Sequence, residues 1–304
     1  MKYLLFPGCC CAFRESGRAY EESLHAVMEA LKFPYAHLDD WNCCGATVYM
    51  SVDEDKAFAL AARNLALTEQ QGAPPSEGPT QLICPCSACY LVMVKTQKQL
   101  EQYPSLRNRI DAGLQSVDLR YEGRVKIRHP LDVFVNDVGL EALAAQVTNP
   151  LVGLRVACYY GCLLVRPYAE FDDPHHPTTM DRLMRVLGAE PIDWPLKTRC
   201  CGGSLTGTIQ DVGLRLNYLL LKEAKRRGAD VLVTLCPFCQ FNLECYQNRL
   251  SRQFDEKIEL PVAFFSQLMG MAMGIPDEQL GLQRLFVPLH PVVAARRATH
   301  YVHA

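Results

Sequence analysis

Ten cysteines fall into two series with the same order. The first runs Gly8-Cys9, Cys43-Cys44-Gly45, Cys86-Ser87-Ala88-Cys89. The second runs Gly161-Cys162, Cys200-Cys201-Gly202, Cys236-Pro237-Phe238-Cys239. The Gly-Cys and the Cys-Cys pair lie 34 positions apart in the first series (9 to 43) and 38 in the second (162 to 200). From the pair to the Cys-x-x-Cys is 42 positions (44 to 86) and 35 positions (201 to 236). The longer step in the first half fits a loop over residues 72–79, rich in Gly and Pro. Thiolates are ligands for zinc and for iron–sulfur clusters, and five per half exceed the four that a tetrahedral zinc or a regular cubane takes. Two adjacent cysteines reach two irons of an open cluster more easily than one iron of a cubane. The count therefore points to an unusual iron–sulfur cluster, with structural zinc in one half as the alternative, because the two share ligand types. A thioredoxin-type dithiol needs a single Cys-x-x-Cys and leaves the pairs and the repeat unexplained.

The elements around the cysteines repeat too. Apolar β-prone runs precede them at residues 3–6, 81–83, 156–160 and 231–235. Helical periodicity marks residues 15–31, 53–68 and 212–226, and again 90–100 and 240–250 directly after each Cys-x-x-Cys. Each half closes on a further strand-to-helix step, at 125–136 and 262–273. Strands alternating with helices predict an α/β fold of two pseudo-symmetric modules with parallel sheets. The expected organisation is one module over 1–150, a second over 151–280, and a surface extension over 281–304. In such a fold the Cys-x-x-Cys groups sit between a strand end and a helix N-terminus, where unpaired N–H groups and the helix dipole favour thiolate.

Composition narrows the function. The chain has 304 residues with 49% hydrophobic and 21% charged, as an ordinary globular protein has. A formal net charge of −2 gives no basic excess, so nucleic acid is not an expected partner. The N-terminal apolar run is too short for a secretory signal, and no stretch reaches the ~18 apolar residues of a membrane span. The fifteen cysteines are odd in number, and a cytoplasmic location is expected, where clustered cysteines bind metal or do chemistry.

The repeated pattern resembles the CCG domain, and two copies in this length resemble the B subunit of heterodisulfide reductase, including the corresponding B subunits of sulfur-oxidation complexes. Phe6-Pro7-Gly8-Cys9, the Cys-Cys-Gly groups, Pro85-Cys86-Ser87-Ala88-Cys89-Tyr90, Cys236-Pro237-Phe238-Cys239 and the stretch Gln267–Gly274 carry the resemblance. It implies two noncubane [4Fe-4S] clusters facing each other across the domain interface. One would take Cys9, Cys43, Cys44, Cys86 and Cys89, the other Cys162, Cys200, Cys201, Cys236 and Cys239. It implies a disulfide substrate between them, either the coenzyme M–coenzyme B heterodisulfide or sulfur on a carrier such as a lipoyl protein. It also implies a ferredoxin-like C subunit and a flavin-bearing A subunit as partners. The alternative is an electron-relay or scaffold subunit with one [4Fe-4S] cluster and one zinc.

Other residues are candidates around those sites. Cys10 and Cys11 extend Cys9 into a triple, so the first ligand is Cys9 or a neighbour. Cys84, Cys158 and Cys245 read as spare, buried thiols. Arg14 and Arg166 follow the first ligand of each series by five and four residues and suit an anionic substrate. His175 and His176, in a Pro- and Asp-rich loop, are candidate proton donors, with a plain polar loop as the alternative. His129 reads as structural. Trp41 and Trp194 precede the Cys-Cys pairs and wall a cluster or pack the core. No G-x-G-x-x-G follows a strand, so reducing power is expected from partners.

Overall fold

The computed structural model of the protein describes residues 2–9, 17–46 and 48–303. Cys10, Cys11 and Arg14 lie outside the described residues. In chain order the first half runs β1 (Tyr3–Leu5), α1 (Arg18–Ala30), β2 (Ala36–His37), α2 (Glu54–Gln71), β3 (Thr80–Ile83), α3 (Ser87–Gln102) and β4 (Val125–Arg128). The second runs β5 (Arg155–Cys158), β6 (Glu190–Pro191), α4 (Gln210–Arg226), β7 (Val231–Thr234), α5 (Pro237–Cys245), β8 (Val262–Phe264), α6 (Phe265–Ala272) and α7 (His290–His303). Further helices, among them Pro104–Gln115 and Thr179–Val186, and shorter helical turns join these elements.

The strands form two four-stranded parallel sheets, ordered β2-β1-β3-β4 and β6-β5-β7-β8. The same permutation appears in both, so the sequence repeat is a structural repeat of α/β modules, as predicted. Parallel strands covered on both faces need continuous rather than alternating apolar runs. The inner strands are β1 and β3 in one sheet and β5 and β7 in the other, and all four residues of β3 and all four of β7 are buried. The outer β2 and β6 are only two residues long and partly exposed. Such short pieces carry no periodicity that a sequence reading detects.

Register makes the halves directly comparable. Ile83 pairs with Arg128 in the first sheet, and Val233 with Ala263 in the second. Arg128 and Ala263 are therefore equivalent, as are His129 and Phe264, Asp132 and Gln267, Gln81 and Val231.

The chain forms two compact units: Met1–Phe13 with Phe33–Val133, and Arg14–Lys32 with Phe134–Ala304. Helix α1 thus belongs to the second unit, although its sequence lies in the first repeat. Its Tyr20 ring stacks on Phe264 at 4.4 Å between centroids and 3° between planes, an arrangement worth about 0.5–1.5 kcal/mol beyond burial. Its Ser23 Oγ lies 2.7 Å from Ser266 Oγ, and Glu22 accepts two hydrogen bonds from the Arg284 guanidinium at 2.8 and 2.9 Å.

Residues 281–304, read from sequence as a surface extension, are anchored in this unit. Leu282, Leu285, Leu289 and Val293 are buried, and α7 follows them. Among the described residues, no helix is long and apolar enough to cross a membrane.

Candidate metal centres

Each cysteine series gathers at the carboxyl ends of its own sheet. In the first unit Gly8 and Cys9 follow β1, the Cys43-Cys44 pair follows β2, and Cys86 caps the N-terminus of α3 directly after β3. In the second, Cys162 follows β5, the Cys200-Cys201 pair follows β6, and Cys236 caps α5, with Pro237 at its first turn. Proline there gives up an N–H that has no helical partner anyway and presets the backbone.

The Cys-Cys-Gly turn is built the same way twice. Gly45 has φ +79° and Gly202 φ +96°, conformations that side chains rarely adopt. A Cβ on Gly45 would sit 3.0 Å from the Ala57 Cα, and one on Gly202 would sit 3.1 Å from the Gly213 Cα. The turn is thus pressed against the backbone of the following helix. It turns the first thiol of each pair outward and the second inward: Cys43 and Cys200 are exposed, Cys44 and Cys201 buried.

The thiols meet in chains rather than at a point. In the first unit Cys43 is in contact with Cys9 and Cys44, Cys44 Sγ is 3.2 Å from Cys89 Sγ, and Cys89 touches Cys86. In the second, Cys162 touches Cys200, Cys201 Sγ is 3.5 Å from Cys239 Sγ, and Cys239 touches Cys236. All ten expected ligands therefore come together as two sets of five, one per unit. Among the described residues, no group of three or more His, Cys, Asp or Glu side chains is arranged to hold a single metal ion. Thiols in a chain of pairwise contacts can reach more than one metal atom.

Electrostatics favour thiolate at selected members. The Cys44 and Cys9 thiols, donating to Cys43, hold its pKa down at about 2. Cys44 is pushed up by donating to Cys43, and Cys89 is pushed well up by the Cys44 and Cys86 thiols and by burial. In the second unit two members are low. Cys200 falls to about 6, chiefly through the Cys162 thiol, then the Gly202 N–H at 3.3 Å and the charge of Arg166. Cys201 falls to about 7 through the Cys239 thiol, the Gly203 N–H and the Asn242 amide. Cys162 and Cys239 are raised.

A sulfur-rich polynuclear group fits these surroundings. Gly8 and Gly161, both at φ +69°, bring the backbone close: a Cβ at either would lie 3.5 Å from Cys89 Sγ or 3.3 Å from Cys239 Sγ. Ser87 Oγ, buried between Cys86 and Cys89, has no hydrogen-bond partner among the described residues, and a cluster sulfur there would accept from it.

The remaining candidates separate. The Arg166 guanidinium lies beside Cys200 and donates to the Thr198 carbonyl, which places it at the second site. His175 and His176 are exposed in a loop that is held by their own N–H groups donating to Asp173 Oδ1 at 2.7 and 2.6 Å. Among the described residues, no hydrogen bond or ion pair links them to the thiols. Cys84 and Cys158 are fully buried and their thiols are pushed well up by burial; Cys245 is half-buried, at about 11. The Trp194 indole N–H donates to the Cys158 carbonyl at 3.0 Å, and the half-buried Trp41 meets Phe6 edge-on at 5.6 Å. His129 is structural: its Nε2 lies 3.0 Å from the Pro85 carbonyl, just before Cys86, and its Nδ1 accepts from the Leu131 N–H at 3.1 Å. Asn242 was not singled out from sequence. The signal was present, a polar residue one helical turn beyond Cys239 on the same face.

Comparison with known proteins agrees with this architecture. The CCG cysteine-rich domain family matches residues 3–94 and 156–244. A protein of Archaeoglobus profundus, described as like the B subunit of heterodisulfide reductase, is 30% identical, covering 92% of this chain and 93% of its own. The B subunit of a ferredoxin/F420H2-dependent CoB-CoM heterodisulfide reductase of Methanosarcina acetivorans is 28% identical, covering 93% of each. The membrane anchor subunit of the 8-methylmenaquinol:fumarate reductase of Wolinella succinogenes is 29% identical over 92% of this chain and 95% of its own. A crystal structure of a hypothetical protein from Helicobacter pylori shares the fold, with a TM-score of 0.75 and 17% identity, over 94% of this chain and 52% of that one.

Proposed function

This chain belongs to the family of heterodisulfide reductase B subunits, with two CCG cysteine-rich domains, and from that premise we propose that it is the catalytic iron–sulfur subunit of a heterodisulfide reductase-like complex. The reaction is cleavage or formation of a disulfide-type bond, either in the coenzyme M–coenzyme B heterodisulfide or in sulfur held on a carrier such as a lipoyl group. Its partners are a ferredoxin-like C subunit and a flavin-bearing A subunit. The observation that carries the reading is the duplication of the site: two sets of five cysteines, in the same order of contact, at the carboxyl ends of two sheets of the same strand order.

Cys9, Cys43, Cys44, Cys86 and Cys89 would hold one noncubane [4Fe-4S] cluster, and Cys162, Cys200, Cys201, Cys236 and Cys239 the other. When bound, these clusters supply Lewis-acidic iron for a substrate sulfur and the electrons that a disulfide takes up. The protein does the rest. The backbone N–H groups of Gly45 and Ala46, and of Gly202 and Gly203, donate to the paired thiolates. Buried Cys44, Cys89, Cys201 and Cys239 keep the inner side of each site dry, while exposed Cys43 and Cys200 leave an approach from outside. Arg166, next to Cys200, holds an anionic group of the substrate or its carrier.

A second reading is favoured by one observation: a membrane anchor subunit of a quinol:fumarate reductase is as similar to this chain as the heterodisulfide reductase subunits are. In that reading the chain relays electrons or acts as a scaffold, with one cluster and one zinc. Iron, acid-labile sulfide and zinc per chain, measured on protein purified without oxygen, separate the readings. Iron and sulfide for two four-iron clusters, no zinc, and an electron paramagnetic resonance signal that changes on adding a heterodisulfide are expected. One cluster with one zinc, or spectra indifferent to disulfide, turns the assignment to the relay. Protein with neither metal overturns both.

A further inference from the structure

The two thiol sets are alike in the order of their contacts but not in the groups that donate to them. Asn242 is 1% exposed, one helical turn beyond Cys239 on α5. Its orientation is fixed from two sides. The Thr206 hydroxyl donates to Asn242 Oδ1 at 2.9 Å, so the NH2 end points the other way. That end donates to the Gly203 carbonyl at 2.9 Å and to Cys201 Sγ at 3.5 Å. The lengths allow one N–H for each acceptor. The equivalent position in the first unit, counted from Cys89, is Val92, also buried and with nothing to donate. The turns themselves are matched, since backbone N–H groups after each Cys-Cys pair donate in both. Among the described residues, and by position along the helix, Asn242 is thus a donor on one side of a duplicated site where the other has Val92.

Donation to a cysteine sulfur withdraws electron density from a cluster and stabilises its more negative, reduced form, which raises the reduction potential. We propose that Asn242 sets the two sites apart, making the cluster held by Cys162, Cys200, Cys201, Cys236 and Cys239 the higher in potential and the first to be reduced. This rests on the reading that both sites hold clusters. Asn242 is a positioning residue: it acts through Cys201. Ser87 is the competing donor in the first unit, where the second has Pro237. A hydroxyl offers one rotatable O–H, whereas the amide is held in place by Thr206 and Gly203.

The test is a dithionite titration of the anaerobic full-length protein, followed by electron paramagnetic resonance, with iron and sulfide counted in each sample. The wild type is expected to show two separable reduction steps. Asn242→Leu, close to Asn in shape, should move the upper step downward and leave the lower one in place, with iron content unchanged. Thr206→Val frees the amide to turn and should give a smaller shift of the same sign. This second variant keeps the idea testable if Asn242→Leu loses iron. Ser87→Ala should leave the upper step where it is. Full clusters with both steps unmoved in both variants, or both steps moved alike, overturn the inference and leave the functional reading intact. A wild type without clusters overturns that reading, and this inference with it.

Discussion

At the strand ends next to the first cysteine site lies a buried charged network, and at the equivalent position of the second a neutral amide. The second unit's own largely buried ion pair, Lys197 with Asp181 at 2.6 Å, lies elsewhere, beside Tyr160. Next to β3 and β4, the Arg128 guanidinium pairs with Asp132 and donates to Gln81 Oε1 at 2.7 Å, all buried. The equivalent residues in the second unit are Ala263, Gln267 and Val231. There the Gln267 amide closes the strand end, accepting from the Phe264 N–H at 2.9 Å and donating to the Leu280 carbonyl at 3.0 Å. The reverse holds on the helix after the Cys-x-x-Cys. The second unit places Asn242 and Glu244 there, where the first has Val92 and Val94. One strand order thus accepts either chemistry beneath it, because the sheet and its turns are held by backbone bonds and apolar burial. The polar groups then differentiate the sites rather than specify the fold.

The comparison breaks most sharply at the ligands. Cys89→Ser and Cys239→Ser should each remove one site's metal, roughly halving iron per chain, and the double variant should lose nearly all of it. A loss of all iron from either single change would show that the two sites fill only together. The next largest effect is in the brace. Arg128→Ala removes the buried ion-pair partner of Asp132 and should cost about 3–5 kcal/mol in denaturant unfolding. Adding Asp132→Gln, so that both positions carry the second unit's residues, should recover most of that loss. If the pair of changes is as damaging as the first alone, the units do not share a tolerant framework.

Glu244 offers a pH test confined to the second unit. It is buried, accepts from the Gln240 amide and from the Phe286 N–H at 2.9 Å, and desolvation raises its pKa from 4.5 to about 7. The folded protein therefore holds this proton more tightly than the unfolded chain. Its contribution is full below about 4.5 and is lost as pH rises through about 7. Glu244→Gln should flatten the fall in melting temperature between pH 5 and pH 8 and be the more stable protein at pH 8, by up to ~3 kcal/mol. An unchanged slope would show that the group titrates normally. The smallest expected effect separates the two turns. A Cβ on Gly213 would lie 2.6 Å from the Thr206 backbone N, whereas the first unit already carries Ala57 against its turn. Gly213→Ala should cost about 1–3 kcal/mol by forcing the turn away from α4. Ala57→Gly should cost about 1–2 kcal/mol, the helix-propensity difference plus the loss of one buried methyl.

Much of this was written in one dimension. The order Gly-Cys, Cys-Cys-Gly, Cys-x-x-Cys is local chemistry, so its repetition was visible without coordinates, as were the apolar runs of the buried inner strands. Helices 53–68 and 212–226 came out close to α2 and α4, since their periodicity reflects one apolar face. What covers that face was not legible. The periodicity of residues 15–31 gave a helix in its place in the chain, and only packing against Phe264 and Ser266 assigned α1 to the second unit. The leucines after residue 280 likewise read as a tail until burial made them part of a core. Asn242 was visible as a polar residue near Cys239, but its donation to Cys201 depends on Thr206 and Gly203, more than thirty positions away. The sequence by itself determined which residues could be ligands and that there are two sets, because ligand type and spacing are local properties. Tertiary structure alone decided which thiols touch, which are low in pKa and how the two sites differ, because those depend on through-space distance and burial.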